Sequence, residues 1–254
     1  MSLYAGIDIG SCTTKAVVVD GEGNMAGSHV CRSGVDYEKA AREALDTALD
    51  GRKLAEAPIS STGYGRHNIP FATGTKTEIA CHARGAFRYI PRAMTLVDIG
   101  GQDNKVIKLN ERGQRLDFKM NRKCAAGTGT FIEEIAAKMG IPLEQMDGMA
   151  RKAEKRVKIG SYCTVFASTE ILSLIRTGVS TEELVRGVFE SVVDRVMEML
   201  PLADLTLLCG GVVAYNPIVV DIFRERVSGE VIVPPHPQLT GAYGAALFAL
   251  EAAD

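Results

Sequence analysis

Two segments of the chain repeat the same pattern of an aspartate, a glycine-containing turn and a lysine. Residues 7–19 read IDIGSCTTKAVVV, and residues 97–109 read VDIGGQDNKVIKL. In each segment the lysine follows the aspartate by seven residues, giving the pairs Asp8 and Lys15, and Asp98 and Lys105. An apolar strand-like run precedes each turn and another follows it. We therefore predict two β-hairpins of the same design.

Hairpins of this kind could bind phosphate groups. Gly10 and Gly100 permit a backbone that a side chain would obstruct, so that N–H groups of the turn can face an anion. An aspartate at the strand end can hold Mg²⁺ through water, and Lys15 would neutralise phosphate as a point charge. One such turn alone would more simply be structural, but two at matched spacing favour phosphate binding. A P-loop or Rossmann site is not supported, because GxxxxGK[ST] is absent and no GxGxxG follows the first strand.

Two of the six cysteines stand just before predicted helices. Cys124 lies in NRKCAAGTGTF, residues 121–131, and Cys163 lies in SYCTVFASTE, residues 161–170. The dipole and free N–H groups of an exposed helix N-terminus would stabilise a thiolate or an anionic iron–sulfur cluster. A four-iron cluster usually needs four thiolates, which two copies of the chain related by a two-fold axis could supply. On spacing alone, two structural cysteines or a disulfide pair remain open as alternatives.

The remaining cysteines are interpreted mainly as small buried hydrophobic residues. They are Cys12, Cys31, Cys81 and Cys209. No two of the six cysteines form a CxxC pair, so nothing supports a zinc ribbon or a ferredoxin-like cluster within one chain.

Strand-like and helix-like segments alternate along the chain and indicate an α/β fold with two related halves. Predicted strands cover residues 3–9, 14–20, 25–32, 57–62, 94–99, 104–109, 114–120, 204–209 and 230–233. Predicted helices cover residues 36–50, 77–89, 128–139, 143–156, 164–177, 181–200, 215–227 and 240–252. We place the first half at residues 1–92 and the second at 93–237, with a C-terminal helix in 238–254 that returns to the first half.

The composition of the 254 residues excludes few classes of protein. Hydrophobic residues make up 46% and the formal net charge is −2, so no basic excess points to nucleic acid. The longest apolar stretch near the C-terminus is too short to span a bilayer, and the first residues lack the basic region of a signal peptide. We expect a cytoplasmic protein with neither a membrane nor a nucleic-acid partner.

Together with two further glycine segments, the hairpins resemble the ATPase superfamily of actin, sugar kinases and heat-shock chaperones. Gly210, Gly211 and Val212 follow an apolar strand and look like the adenosine-binding turn of that superfamily. The predicted helices 77–89 and 240–252 look like its two connecting helices. The resemblance covers essentially the whole chain. It implies an actin-like ATPase fold, that is a duplicated ribonuclease H-like fold, with a nucleotide cleft between the two halves.

Longer motifs narrow the resemblance to one family. NxxCAAGTGxF, CTVFAxxE, DIGGQDxK and the CH of KTEIACH closely resemble the activator ATPases of 2-hydroxyacyl-CoA dehydratases. The same family includes ATPase subunits of benzoyl-CoA reductases and reductases of double-cubane cluster proteins. The resemblance implies a homodimer sharing one [4Fe–4S] cluster, with Cys124 and Cys163 as ligands. It also implies ferredoxin or flavodoxin as electron donor and an iron–sulfur dehydratase or reductase as acceptor, in anaerobic metabolism.

The resemblance also assigns the residues around MgATP or ADP. Asp8, Asp98 and Gln102 are expected to act in catalysis. The expected cofactor-binding residues are Gly10, Ser11, Cys12, Thr13, Thr14, Lys15, Gly100, Gly101, Gly127, Thr128, Gly210, Gly211 and Val212.

Three features depart from the pattern or stay open. Family members commonly read GGVAxN where this chain reads GGVVAYN, which leaves the role of Asn216 open. Gln102 stands where kinases of the superfamily often carry an acidic base; it can orient a water molecule but cannot take its proton. Cys81 and His82 lie on a predicted connecting helix, where packing is favoured over a catalytic or metal-binding role.

Two other functions fit the same fold. A small-molecule kinase would need an acidic base near the second hairpin and would hold no cluster. A nucleotide-gated regulatory module would keep the ATP site without redox chemistry. The sequence does not identify the partner enzyme.

Overall fold

The chain folds into two compact α/β units. The computed structural model describes residues 2–54, 58–121, 127–160 and 164–253. The first unit comprises Met1–Ala93, Leu109–Asp117 and Gln238–Asp254, and the second comprises Met94–Lys108 and Phe118–Pro237. Of the predicted site residues, Cys124 and Cys163 lie outside the described residues.

The first unit is built on a mixed five-stranded sheet. Its strands are β1 (Tyr4–Ile9), β2 (Thr13–Val19), β3 (Met25–Arg32), β4 (Ile59–Thr62) and β5 (Gly74–Thr75). Their order across the sheet is β3-β2-β1-β4-β5, with β1 antiparallel to β2 and parallel to β4. The helices of this unit are α1 (Tyr37–Leu49), α2 (Glu78–Tyr89) and α9 (Thr240–Glu251).

The second sheet repeats the strand order of the first. Its strands are β6 (Met94–Ile99), β7 (Asn104–Leu109), β8 (Arg115–Asn121), β9 (Leu205–Cys209) and β10 (Glu230–Ile232). Their order is β10-β9-β6-β7-β8, so that β6 lies between β7 and β9 as β1 lies between β2 and β4. Strand β6 is parallel to β9. The remaining helices are α3 (Gly129–Met139), α4 (Met146–Ala150), α5 (Thr164–Arg176), α6 (Thr181–Met197), α7 (Gly211–Tyr215) and α8 (Pro217–Arg226).

Buried apolar side chains hold each unit together. In the first unit, Ile7 and Ile9 of β1 are fully buried among the alanines of α1. In the second unit, three phenylalanines from three helices, Phe131, Phe189 and Phe223, meet in one core cluster. Burial of such side chains supplies the main favourable term in folding.

Small residues let helix α9 lie directly against its neighbours in the first unit. A Cβ on Gly6 of β1 would collide with the backbone of α9, and a Cβ on Gly244 of α9 would collide with the Cys81 carbonyl of α2. Close approach of this kind needs glycine. The returning C-terminal helix therefore packs against both β1 and α2.

Two predicted helices differ from the observed ones. Residues 143–156 form a short 3₁₀ turn followed by α4, which ends at Ala150, because the polar run after it offers almost no apolar positions to pack. The predicted helix 215–227 is observed as α8, which begins two residues later at Pro217, because Asn216 separates it from the short helix α7 before it. Within the described part of the chain, no helix is both long enough and apolar enough to cross a membrane.

Candidate functional site

The first glycine turn joins β1 to β2 around an aspartate–lysine pair. Asp8 lies opposite Lys15 in the antiparallel register, and the Lys15 Nζ is 3.5 Å from the Asp8 Oδ2. The N–H of Gly10 donates to the Thr13 carbonyl at 3.1 Å and closes the turn. A Cβ at position 10 would lie 2.9 Å from that carbonyl oxygen, so the turn requires glycine.

The second turn joins β6 to β7 with the same hydrogen bond. The N–H of Gly100 donates to the Asp103 carbonyl at 2.9 Å, as Gly10 donates three residues ahead in the first turn. Lys105 donates to the Asp98 Oδ2 at 3.0 Å and also to the Asp103 Oδ1 at 2.9 Å. The aspartate and the lysine that are seven residues apart in the sequence therefore contact each other in both turns.

The two lysines differ in how many carboxylates they face. Lys15 faces Asp8 and the Thr13 carbonyl. Lys105 is held between two carboxylates with its side chain only 5% exposed, so that this trio carries a formal charge of −1. Of the two, Lys15 is the cation better placed for a phosphate, and the carboxylates of the second turn suit a Mg²⁺ ion, which prefers oxygen ligands.

A glycine with positive φ lies against each of the two strand-end aspartates. Asp8 is in register with Thr62 of β4, and Gly63 follows with φ +93°. Asp98 is in register with Cys209 of β9, and Gly210 follows with φ +99°. The sequence analysis singled out Gly210 but not Gly63, although the two glycines in STGYG, residues 61–65 at the end of β4, indicate a turn.

Cys209 is both a core residue and a hydrogen-bond donor to Asp98. It is fully buried, as expected, but it also donates to the Asp98 Oδ1 at 3.8 Å. Cys12, in contrast, is exposed in the first turn rather than buried. The expectation of a buried residue was therefore wrong for Cys12, because its position at the tip of the hairpin lies outside the core.

Helix α2 brings His82 close to the first turn. A Cβ added to Gly241 would lie 2.9 Å from the His82 Nε2 and 3.2 Å from the Asp8 Oδ2, so both groups approach the same glycine. The neighbouring Cys81 is fully buried, and burial raises the pKa of its thiol to about 12, despite an opposing hydrogen bond from Thr62. A thiol that stays protonated is a poor metal ligand, which agrees with packing for Cys81.

The Gly210–Gly211 step opens helix α7. The N–H of Gly210 donates to the Pro237 carbonyl at 2.9 Å, and Val212 is buried beyond it. Asn216 donates through both its backbone N–H, at 3.0 Å, and its Nδ2, at 2.9 Å, to the Val212 carbonyl. Asn216 therefore ends α7 and lies directly before Pro217, the first residue of α8.

The other predicted residues of the two turns differ in exposure. Ser11 and Gln102 are exposed, and Thr13 and Gly101 are half-buried. Thr14 is fully buried, and its hydroxyl shares a hydrogen bond of 2.9 Å with the Ser33 hydroxyl. Thr14 thus supports the turn from inside.

The segment that contains Cys124 leads into α3. The residues that follow this segment, from Gly127 to Thr130, are hydrogen-bonded to the second turn and the strand after it. Gly127 has φ +82°, and its carbonyl accepts a 2.7 Å hydrogen bond from the buried Nδ2 of Asn104. Gly129 donates its N–H to the Gly100 carbonyl at 2.9 Å, and Thr130 donates its N–H to the Gly101 carbonyl at 2.8 Å. The Thr130 hydroxyl donates to the same Gly101 oxygen at 2.7 Å.

These bonds correct the expectation of free N–H groups at the start of α3. The N–H groups of Gly129 and Thr130 donate to carbonyls of the second turn and so are not free for another acceptor. The sequence could not show this, because the partners are carbonyls almost thirty residues earlier in the chain.

Helix α5 begins at Thr164, directly after the segment that contains Cys163. Glu170 on this helix accepts the N–H of Gly160 at 3.0 Å through its Oε1. The bond ties the residue before the Cys163 segment to the helix after it. It gives a structural role to the glutamate of the CTVFAxxE motif, for which the sequence alone suggested none.

The two repeated sheets with their matched turns define a class of proteins, the actin-like ATPases and sugar kinases. A ROK family glucokinase from Streptomyces griseus, solved with glucose and AMPPNP, superposes with a TM-score of 0.60 over 98% of this chain and 100% of that chain. At 13% identity this likeness shows the fold alone. The predicted fold class is confirmed.

The chain belongs to the BadF/BadG/BcrA/BcrD ATPase family, whose sequence profile matches residues 5–249. It is 40% identical to the activator of lactoyl-CoA dehydratase from Anaerotignum propionicum, over 98% of this chain and 97% of that protein. The solved structure of the activator of 2-hydroxyisocaproyl-CoA dehydratase from Clostridium difficile with bound ADPNP has a TM-score of 0.90 and 35% identity, over 99% of this chain and 95% of that chain. The resemblance indicated by the motifs is confirmed, and the chain is an ATP-hydrolysing activase.

Proposed function

We propose that this protein uses ATP hydrolysis to inject a low-potential electron into a partner iron–sulfur enzyme. The observation that carries the proposal is the end-to-end similarity to the activator of lactoyl-CoA dehydratase. The partner would be a 2-hydroxyacyl-CoA dehydratase or, less similar in sequence, an enzyme of the benzoyl-CoA reductase kind, since one chain of the reductase from Thauera aromatica is 30% identical. The protein would work in the cytoplasm, with ferredoxin or flavodoxin as donor.

The two glycine turns would hold the phosphates of MgATP. Lys15 supplies a positive charge beside the first turn, and the Asp98 and Asp103 carboxylates supply oxygen ligands for the ion beside the second. Gln102 is exposed at the tip of the second turn, where it can orient an attacking water molecule without accepting its proton. This arrangement suits slow hydrolysis that switches the protein between states.

The cysteines Cys124 and Cys163 would bind the redox group. Thiolates are the ligands that iron–sulfur clusters use, and two cysteines in each of two chains make the set of four. When bound, a [4Fe–4S] cluster would supply the one-electron chemistry. The chain's own contribution is to orient the two cysteine segments, which are flanked by the helices α3 and α5.

The test is to count iron and sulfide per dimer after anaerobic purification. We expect about four irons in the wild type, and their loss in both Cys124→Ala and Cys163→Ala. Cys31→Ala is the matched control and should keep its iron, because Cys31 lies on β3 and donates to the Ala40 carbonyl. An iron-free wild type that still hydrolyses ATP after reconstitution with iron and sulfide would contradict electron injection and favour a kinase or a regulatory module.

A further inference from the structure

The second glycine turn directs two of its carbonyl groups toward α3. The carbonyls of Gly100 and Gly101 accept hydrogen bonds from the start of α3. In a trans peptide unit the C=O and the N–H point in opposite directions. The N–H groups of Gly101 and Gln102, which share peptide units with these two carbonyls, therefore point away from α3.

The first turn is supported in another way. Its carbonyls at Gly10 and Cys12 accept from one residue, Ser33, through the hydroxyl at 2.6 Å and the N–H at 3.0 Å. Ser33 follows β3 within the first unit and is not part of a cysteine segment. The two turns thus share their geometry but differ in what lies behind them.

A fourth bond, besides the three from Gly129 and Thr130, continues the connection toward Cys124. The Asn104 Nδ2, on the strand that leaves the second turn, donates to the Gly127 carbonyl at 2.7 Å. Asn104 is 1% exposed and Thr128 is fully buried, so water does not compete for this contact. A shift of the turn by a fraction of an ångström would move both the end of the Cys124 segment and the first turn of α3, because packed interiors transmit displacement.

We propose that Thr130 and Asn104 are positioning residues that transmit the nucleotide state of the second glycine turn to the segment containing Cys124. The inference rests on the proposed function, since it assumes that the turn binds a nucleotide phosphate. Phosphate held by the N–H face reorients the peptide units of residues 100–102. Their carbonyls carry that change to Gly129 and Thr130, while Asn104 carries it to Gly127.

The experiment measures how fast iodoacetamide alkylates Cys124 in the full-length chain after iron has been removed anaerobically with a chelator. The rate is determined by peptide mass spectrometry in saturating MgADPNP and in saturating MgADP. We expect the two rates of the wild type to differ by at least about fivefold, the low end of typical coupling between two sites. This readout does not require a loaded cluster or a partner enzyme.

Variants show whether a change in the alkylation ratio comes from lost transmission to the Cys124 segment, from misfolding or from weaker nucleotide binding. Thr130→Val removes the hydroxyl bond to Gly101 and leaves the two backbone bonds in place, so it should lower the ratio of the two rates, while Thr130→Ser should keep it near the wild-type value. Asn104→Ala should also reduce the ratio. Ser33→Ala, the matched control behind the first turn, should keep the wild-type ratio at saturating nucleotide. Nucleotide affinity by calorimetry and melting by circular dichroism show that each variant binds and folds.

Three results would overturn the inference. The first is that the wild type is alkylated at the same rate with MgADPNP and with MgADP, and the second is that Thr130→Val and Asn104→Ala both keep the rate ratio of the wild type. The third is that Ser33→Ala lowers the ratio as much as those two variants do. None of them bears on the iron count, which tests the proposed function separately. If Thr130→Val were unstable, Asn104→Ala would decide, since an unchanged ratio in that variant is equally contrary to transmission.

Discussion

Gly63 and Gly210 occupy the same position relative to the strand-end aspartates of their respective units. A Cβ on Gly63 would lie 2.6 Å from the Asp8 Oδ1, and a Cβ on Gly210 would lie 2.7 Å from the Asp98 Oδ1. Both glycines have positive φ and both follow a strand parallel to the one that carries the aspartate. The duplication that is visible in the DIG turns therefore extends to the next parallel strand, where the sequences no longer resemble each other.

Replacing Gly63 should impair both folding and nucleotide binding. Gly63→Ala places a methyl group against the Asp8 carboxylate in a backbone conformation that L-residues rarely adopt. We expect a loss of about 1–3 kcal/mol in the free energy of unfolding, the usual range for such strain, together with weaker MgATP binding. Urea unfolding and calorimetry measure the two effects.

Gly21 offers a matched control for this substitution. A Cβ at position 21 meets no atom within 4 Å, so Gly21→Ala should change the stability by less than about 0.5 kcal/mol. Equal behaviour of the two variants would contradict the strain that we assign to Gly63.

Replacing each of the two lysines by alanine should have a different main effect, on nucleotide binding for Lys15 and on the stability of the fold for Lys105. Lys15→Ala removes a cation from beside the first turn and should weaken MgATP binding by about tenfold or more, as loss of a charged hydrogen bond does. Lys105→Ala leaves the Asp98 and Asp103 carboxylates without their shared cation and should destabilise the fold by about 3–5 kcal/mol. Calorimetric titration with MgADPNP and urea unfolding distinguish the effects. The reverse ranking, with Lys105→Ala affecting only binding, would show that Lys105 is the phosphate ligand.

Regular features of the sequence were enough to predict the fold. The apolar runs around the DIG turns predicted strands 94–99 and 104–109, which match β6 and β7 in their bounds. The two-residue strand β5 was missed, because Gly74 and Thr75 are too short to show a period. Helix 143–156 was predicted too long, since charged residues can continue a helical pattern without any core to bury.

The site was predictable only where its residues are close in sequence. The pairs Asp8–Lys15 and Asp98–Lys105 follow from spacing within one hairpin. The bonds from Asn104 and Thr130 join segments that are 23 and 29 residues apart, and several residues on each segment could have made them. Which carbonyl faces which helix depends on tertiary packing and has no sequence signature.

Ionisation of Cys81 should lower the stability of the protein at alkaline pH. Burial raises the pKa of this thiol to about 12 in the folded chain, with a smaller upward contribution from the Asp8 charge. The folded state therefore keeps the thiol neutral between the unfolded pKa, about 8.5, and 12, while the unfolded chain ionises. A stabilising contribution that is complete below a pH of about 8.5 is thus lost progressively as the pH rises.

Cys81→Ala removes the ionisable thiol and with it this pH dependence, so the variant is the reference for the wild type. Between about pH 8 and pH 10 the stability of the wild type should fall relative to the variant by about 1–2 kcal/mol in urea unfolding. A constant difference between the two proteins across this range would contradict a buried, neutral thiol at position 81.

Glu170 should determine how firmly the Cys163 segment holds iron. Its Oε1 accepts the Gly160 N–H at 3.0 Å and so links the two sides of that segment. Groups that orient metal ligands typically affect affinity by about 10–100-fold, so Glu170→Ala should lose iron to a chelator about tenfold faster than the wild type. Glu170→Gln keeps an accepting oxygen and should stay within about twofold of the wild type, by the same reasoning.

Glu133→Ala, which removes an exposed carboxylate from α3, is the matched control. If Glu133→Ala and Glu170→Ala lost iron equally fast, the net charge of the chain rather than the Gly160 bond would set the rate of iron loss. In that case Glu170→Ala would leave the rate at which Cys163 is alkylated in the iron-free chain unchanged.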